Sequence, residues 1–335
     1  MSIVLVTGSE GSLMQSVIPK LLNNGHTVYG VDNLYRYGKR LNIINSSSYE
    51  FIRGDLIDNA FVENTIKKIR PDYIIQAAAK IYGVAGFNAY CADILGDDVL
   101  LHTNILKASI ENRVKKIIYI SSSMVYENCP QDVDQPVYEE MPNVFKAPYT
   151  DYGLSKFMGE RLCAAFKSQY GLNYTIWRPF NIITPYEKGE SDLGYSHVFA
   201  DYINNIVINK LKEVPIIGDG NQIRCFTWIE EVAQAIASFS FMRESDCQTF
   251  NIGNPEPISM RDLAYKIRDV HAKMTNEFLE FELKTVKNFK NDVRVRIPDI
   301  NKLESIFKWK PKISVEKSIE KCLEVLYNDN DRIPL

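Results

Sequence analysis

Residues 4–25, VLVTGSEGSLMQSVIPKLLNNG, decide the fold. A continuous apolar run enters a glycine turn, and the turn opens an apolar pattern with helical spacing. A dinucleotide fold needs this order, because the backbone N–H groups at the helix start are aimed at a pyrophosphate. Gly8 permits the tight turn and Gly11 lets the backbone approach the phosphate. The third small residue of such turns serves helix-on-strand packing, and here that position is Met14. Met14 is therefore expected to push the first helix slightly outward while leaving phosphate contact intact. Asp32 ends the second apolar run, at the distance where a carboxylate accepts hydrogen bonds from ribose hydroxyls. That charge repels a 2′-phosphate and favours NAD over NADP. Arg36, Lys39 and Arg40 lie close by and weaken the preference a little.

The same rhythm continues along the chain. Short apolar strands alternate with helical patterns up to about residue 180, which implies a parallel sheet with right-handed crossovers and both faces covered. Beyond that point loops lengthen and Pro and Gly become frequent, as expected of a smaller lobe capping the C-terminal edge of the sheet. The basic run VKKIIYI (114–120) is expected to be a solvated helix end followed by a strand.

Composition excludes several classes. The 335 residues carry a net charge of -3, which offers no nucleic-acid surface. No apolar run reaches the ~18 residues of a membrane span, and MSIVLVTG lacks the features of a signal peptide. Cys91, Cys129, Cys163, Cys225, Cys247 and Cys322 form no CxxC pair, and there are four histidines. We therefore expect neither a metal site nor a disulfide frame, and a cytoplasmic protein.

The chemistry sits in YTDYGLSKFMGERL (149–162). Tyr152 and Lys156 are four apart and share a helical face. A neighbouring ammonium is expected to pull the phenol's pKa toward neutrality, so that it exchanges a proton with an alcohol being oxidised. YISSSMVYE (119–127) ends the fifth strand, and Ser122 there is expected to share the substrate hydroxyl with Tyr152.

In order, TGSEGSL, VDN, RGDL, QAAAK, SSSMVY, YGLSK, RPFNIITP, GDGNQIRCFTWIEEVA and RVRIPDINKLESIFKWKPK resemble the extended short-chain dehydrogenase/reductases acting on nucleotide sugars, the NAD-dependent epimerase/dehydratase family. The resemblance spans nearly the whole chain. It implies an α/β fold: a Rossmann-type doubly wound parallel sheet (1–180) and a smaller C-terminal α/β substrate lobe (181–335) with interleaved returns to the sheet. It implies that Ser122, Tyr152 and Lys156 are catalytic. Gly8, Ser9, Gly11, Ser12, Leu13, Asp32, Asn33, Asp55, Leu56, Ala77, Ala78 and Lys80, with Tyr152 and Lys156, would line the NAD. Ser123, Asn181, His197 and Arg224 would meet a nucleotide-diphosphate sugar, with Arg294 or Arg296 as a second phosphate clamp.

Three positions depart from the family pattern. Met14 is one, Gln76 replaces a usual histidine, and Asp98 stands near a usual helix asparagine. The family's dehydratases place an Asp-Glu pair directly after the Ser/Thr, and Ser123 and Met124 stand there instead, so 4,6-dehydration is not expected. YSHVF and AAAKIYGVAGFNAY resemble the GDP-fucose synthase branch, in which a cysteine and a histidine exchange protons. His197 fits that histidine, while Met124 takes the cysteine position. Epimerisation at C4 through transient oxidation is expected first, and net oxidation or reduction of the same carbon second. A non-catalytic dinucleotide sensor is the alternative of another class. The helices across 93–111 and 152–169 carry apolar residues on more than one face, and the resemblance implies that they pair across a two-fold axis in a homodimer.

Overall fold

The computed structural model describes residues 2–40, 43–190, 192–287 and 292–328. Seven short, mostly apolar segments form one parallel sheet. In chain order its first six strands are β1 (Ile3–Thr7), β2 (Thr27–Asp32), β3 (Tyr49–Arg53), β4 (Tyr73–Gln76), β5 (Lys116–Ile120) and β6 (Asn173–Pro179). Three short strands follow: β7 (Asn181–Ile183), β8 (Glu213–Ile217) and β9 (Ile223–Trp228). The chain then returns to the large sheet with β10 (Gln248–Ile252). The strand order is β10-β6-β5-β4-β1-β2-β3. It reverses direction between β1 and β4, and ligands of such sheets bind outside the carboxyl ends at that reversal.

Helices cover both faces. They are α1 (Ser12–Asn23), α2 (Asn59–Ile69), the one-turn-plus α3 (Val84–Ala89), α4 (Cys91–Glu111), α5 (Asp151–Tyr170), α6 (Val198–Tyr202) and α7 (Ile229–Phe239). One face buries Val4, Val6, Val17, Ile18 and Leu21 with Val232, Ile236 and Phe250. The other buries Leu5, Ile74 and Ile117 with Ile105 of α4 and Ile66 of α2. The rest of the chain adds β11 (Pro257–Ser259), α8 (Met260–Thr275), β12 (Glu282–Val286), α9 (Asn301–Phe307) and α10 (Val315–Asn328). Sheets β11-β9-β7 and β12-β8, with α6, α8 and α10, enclose a second core around Ile206, Phe226, Leu263 and Ile319.

Two readings of the sequence need correction. Lys116 is not solvated: it is buried, and its ammonium pairs with Asp246 at 2.7 Å and Ser245 Oγ at 2.7 Å. Parallel neighbours on both sides hold this strand start inside the sheet, so the charge must find partners there. The stretch 84–89 forms α3, which the sequence pass did not anticipate.

Met14 lies wholly within the core between α1 and the sheet and does not line the ligand cavity. Met14→Gly removes that side chain and places glycine inside a helix. It is expected to destabilise the fold by about 3–5 kcal/mol and to leave NAD affinity nearly constant. Denaturant melts paired with NAD titration check this. A large affinity change with unchanged stability would contradict it.

Candidate active site

Across the reversal runs a cavity of about 490 Å³, walled by the ends of β1, β2, β4 and β5 on one side and by residues 181–226 and 292–296 on the other. Gly8 has a left-handed φ of 63°, and a Cβ there would lie 2.8 Å from the Ala78 backbone. The two strand ends therefore touch only because position 8 is glycine. Gln76, the histidine replacement, is buried beneath them. Its Nε2 donates to the Ala78 carbonyl at 3.1 Å, and Thr7 Oγ1 donates to its Oε1. It fixes the loop and does not face the cavity.

Gly8, Gly11, Ser12, Leu13, Asp32, Asn33, Asp55, Leu56, Ala77, Ala78 and Lys80 all line this cavity. Among the described residues no side chain caps α1, so its first N–H groups remain available to a phosphate. Asp32 accepts backbone N–H bonds from Leu34 (2.7 Å) and Glu10 (3.0 Å). Burial pushes its carboxyl pKa up and these bonds pull it down. Asn33 Nδ2 reaches Asp55 at 3.2 Å, and Lys80 Nζ pairs with Asp97 at 2.5 Å. This cradle fits a dinucleotide. Ser9 and Lys156 are the exceptions in the expected set: both are buried and neither lines the cavity.

At the other end stand Ser122 and Tyr152. Ser122 follows β5 and accepts the Met124 N–H at 3.1 Å. Its side chain also hydrogen-bonds the Tyr152 phenol. Tyr152 opens α5, whose first turn is capped by Thr150. Thr150 is itself held by Glu127, through its N–H (2.9 Å) and hydroxyl (2.7 Å). Gly153 makes this approach possible, since a Cβ there would lie 2.9 Å from Glu127, Met124 and Pro148. Phe87 of α3 stacks on the Tyr152 ring, with centroids 4.5 Å apart and planes within 6°.

The expected acid phenol is not what the structure shows. Tyr152 is buried, and burial drives its pKa well above the ordinary tyrosine value. The Ser122 bond lowers it and the Asp98 carboxylate raises it further. Lys156 lies 5.7 Å from the Tyr152 ring centroid and donates to the Ile120 carbonyl at 3.2 Å. It is buried below the cavity wall, where burial lowers its pKa. Desolvation is the largest cause of the shift and Lys156 is not among its causes, so the phenol is protonated in the free protein.

Asp98, the asparagine replacement, faces this pair. Its oxygens accept the Lys80 N–H (2.9 Å) and the Ser155 hydroxyl (3.2 Å). Burial raises its pKa to about 6, against the opposing charge of Lys156.

The substrate side is basic. Arg224 Nη2 pairs with Asp292 at 3.1 Å, and burial, with Arg296 beside it, lowers its pKa to about 10. Arg296 is 5% exposed, and its Nε has no partner among the described residues. Both line the cavity, as do Ser123, Asn181 and His197. Arg294 does not: it is exposed and pairs with Asp219 at 3.0 Å. The chain bends at Arg294, and of the two arginines Arg296 is the one that lines the cavity. His197 Nδ1 meets Glu187 at 2.7 Å, and that carboxylate raises the imidazole pKa. Glu187 and Asp292 lie outside the quoted motifs, and Phe87 and Glu127 lie inside AAAKIYGVAGFNAY and YISSSMVYE without a signal of their own, because each acts through a fold contact.

A glycine-turn cradle facing a serine–tyrosine pair across one cavity defines a dinucleotide-dependent enzyme of the doubly wound α/β class. The sequence signature of the NAD dependent epimerase/dehydratase family matches residues 4–253, and the chain belongs to that family. Its cofactor is NAD. A putative UDP-glucose 4-epimerase of Methanocaldococcus jannaschii is 29% identical over 330 residues, covering 98% of this chain and 99% of that protein. GDP-L-fucose synthase 1 of Arabidopsis thaliana is 26% identical over 326 residues, covering 96% and 92%. The solved UDP-glucose 4-epimerase of Thermotoga maritima, with UDP-glucose, superposes with a TM-score of 0.83 at 26% identity, covering 98% of this chain and all of that one.

Asp98→Asn removes a negative charge that raises the phenol's pKa. The alkaline-rising limb of the kcat/KM–pH profile is expected to move to lower pH by roughly one unit. An unmoved limb, or one shifted upward, would count against the assignment of Tyr152 as the titrating base.

Proposed function

We propose that this enzyme is a C4 epimerase of a nucleotide-diphosphate sugar, working by transient oxidation. The observation that carries the proposal is that Ser122 and Tyr152 line one cavity wall together, with no uncommitted acid following Ser122 among the described residues. Ser123 and Met124 follow Ser122, and the nearby Glu127 is committed to Thr150. NAD, when bound, supplies the hydride acceptor and a positive ring charge that favours the phenolate. Tyr152 then takes the proton of the C4 hydroxyl while Ser122 holds the same oxygen. Arg224 and Arg296 grip the diphosphate, Arg296 with a donor still unused. With the diphosphate held by the two arginines, the ketone would be free to turn its other face, the bound coenzyme would supply the returning hydride, and Tyr152 would give the proton back.

The cleft favours a retained coenzyme, as a two-way transfer requires. Gly83 N–H donates to the Tyr195 carbonyl (2.8 Å) and Ala85 N–H to Gly194 (2.9 Å). Arg36 pairs across the opening with Glu190 at 3.1 Å. The UDP-glucose 4-epimerase relatives agree with this reading.

Net oxidation or reduction at C4 uses the same three residues. One observation favours an epimerase-reductase resembling the GDP-L-fucose synthases: the His197–Glu187 pair stands in the cavity wall. Against it, Met124 carries no exchangeable proton where that chemistry needs one. We also propose a cytoplasmic homodimer joined through α4 and α5, where Leu100 and Met158 are exposed. No described helix is long and apolar enough to cross a membrane.

The test is a panel of UDP-, GDP- and dTDP-sugars incubated with the protein and no added coenzyme. A C4 epimer with no accumulating NADH absorbance is expected, and product that tracks absorbance would overturn the epimerase reading. Tyr152→Phe is expected to lower kcat by at least about a hundredfold with nucleotide-sugar binding retained. Full activity in that variant would rule out the mechanism.

A further inference from the structure

Glu10 lies between the two turn glycines, and nothing above gives it a role. Its carboxylate lines the cavity beside Asp32, and its backbone N–H is one of the two that Asp32 accepts. Glu10 Oε1 receives Arg40 Nε at 3.1 Å, and Oε2 receives Gln15 Nε2 at 3.3 Å. The side chain is 5% exposed. Two carboxylates thus stand together where the adenosine ribose of the coenzyme would lie.

The cations of the neighbouring loop are disposed of in different ways. Arg36 and Lys39 both line the cavity, and Arg36 is paired there with Glu190. Arg40 does not line it. Its guanidinium lies 4.3 Å from the Phe51 ring centroid and is held back by Glu10, with one buried nitrogen, Nη2, unpartnered among the described residues. A guanidinium with a free donor is a ready ligand for a phosphate, and among the described residues Glu10 is the carboxylate that holds it.

We propose that Glu10 is the specificity residue that makes this cleft select NAD against its 2′-phosphorylated form, by placing a second carboxylate beside Asp32 and by masking Arg40. The proposal rests on the assignment of this cleft to the dinucleotide. It goes beyond that assignment in saying that a 2′-phosphate site is latent here and neutralised by one side chain. Asp32 alone would repel the phosphate. Glu10 doubles the repulsion and withholds the cation that could offset it.

The experiment is direct binding of NAD+ and of NADP+, by calorimetry, to coenzyme-stripped wild type, Glu10→Gln, Arg40→Gln and the double variant. Glu10→Gln keeps the shape and the Gln15 contact while losing the charge. It is expected to raise NADP+ affinity relative to NAD+ by about tenfold or more, and adding Arg40→Gln should reverse most of that gain. Arg40→Gln alone leaves Glu10 without its counter-charge and should widen the preference for NAD+ by about threefold. That arm decides the matter should Glu10→Gln fail to fold. NAD+ binding with an affinity ratio unmoved in these variants would overturn the role of Glu10 alone. A wild-type protein that binds neither dinucleotide would overturn the cleft assignment and this proposal together.

Discussion

The buried ion pair between Arg178 and Glu160 holds the catalytic end of the molecule together. Arg178 ends β6 and meets both oxygens of Glu160 on α5, at 2.8 and 2.6 Å. The same carboxylate accepts Ser121 Oγ at 2.5 Å, and Ser121 is the residue before Ser122. The guanidinium's remaining nitrogen donates to Tyr126 Oη (2.8 Å) and to the Glu139 carbonyl (2.7 Å). Tyr126 passes the chain of bonds to Asn251 on β10, whose amide reaches Val137 and Asp299. Two strand ends, the catalytic helix and two loops are thereby fixed by one charge pair. Breaking such a pair by removing one partner costs roughly 3–5 kcal/mol, because the other charge is left buried and alone. The serine and the tyrosine of the site hang from this frame.

Both ends of the cavity are charged: Asp32, Glu10 and Asp55 stand with Arg36, Lys39 and Lys80 at the coenzyme end, and Arg224 and Arg296 with Asp292 and Glu187 at the substrate end. Between them Tyr152 sits in a dry stack with Phe87, where neither charge set reaches it strongly. That arrangement leaves the phenol protonated until a positive charge arrives. A free enzyme that is poor at removing protons, and becomes competent on loading, suits an enzyme that must not oxidise without its acceptor in place.

Much of this was legible in the sequence because the motifs encode backbone needs. Gly8 must be glycine for the contact with Ala78, and its run of apolar residues must be a strand covered on both faces. Asp32, Ser122, Tyr152 and Arg224 follow from position along that frame. What was not legible depends on contacts between distant segments. The phenol's raised pKa comes from burial, to which the Asp98 carboxylate on α4 adds. Arg294 and Arg296, two apart, share a face if the chain is extended, yet of the two Arg296 is the one that lines the cavity. Lys116 reads as a surface lysine until the sheet closes around it. Glu10 reads as a loop residue until Arg40 folds back onto it.

The account's central claim is that a hydrogen at C4 leaves as hydride and comes back to the same carbon, with Tyr152 moving only the hydroxyl proton. The most direct test uses a nucleotide sugar that the enzyme epimerises, carrying deuterium at C4, in ordinary water. The account predicts that the epimeric product keeps its deuterium at C4 when read by mass spectrometry and NMR. Loss of the label to solvent would contradict it, because the hydrogen would then have left as a proton.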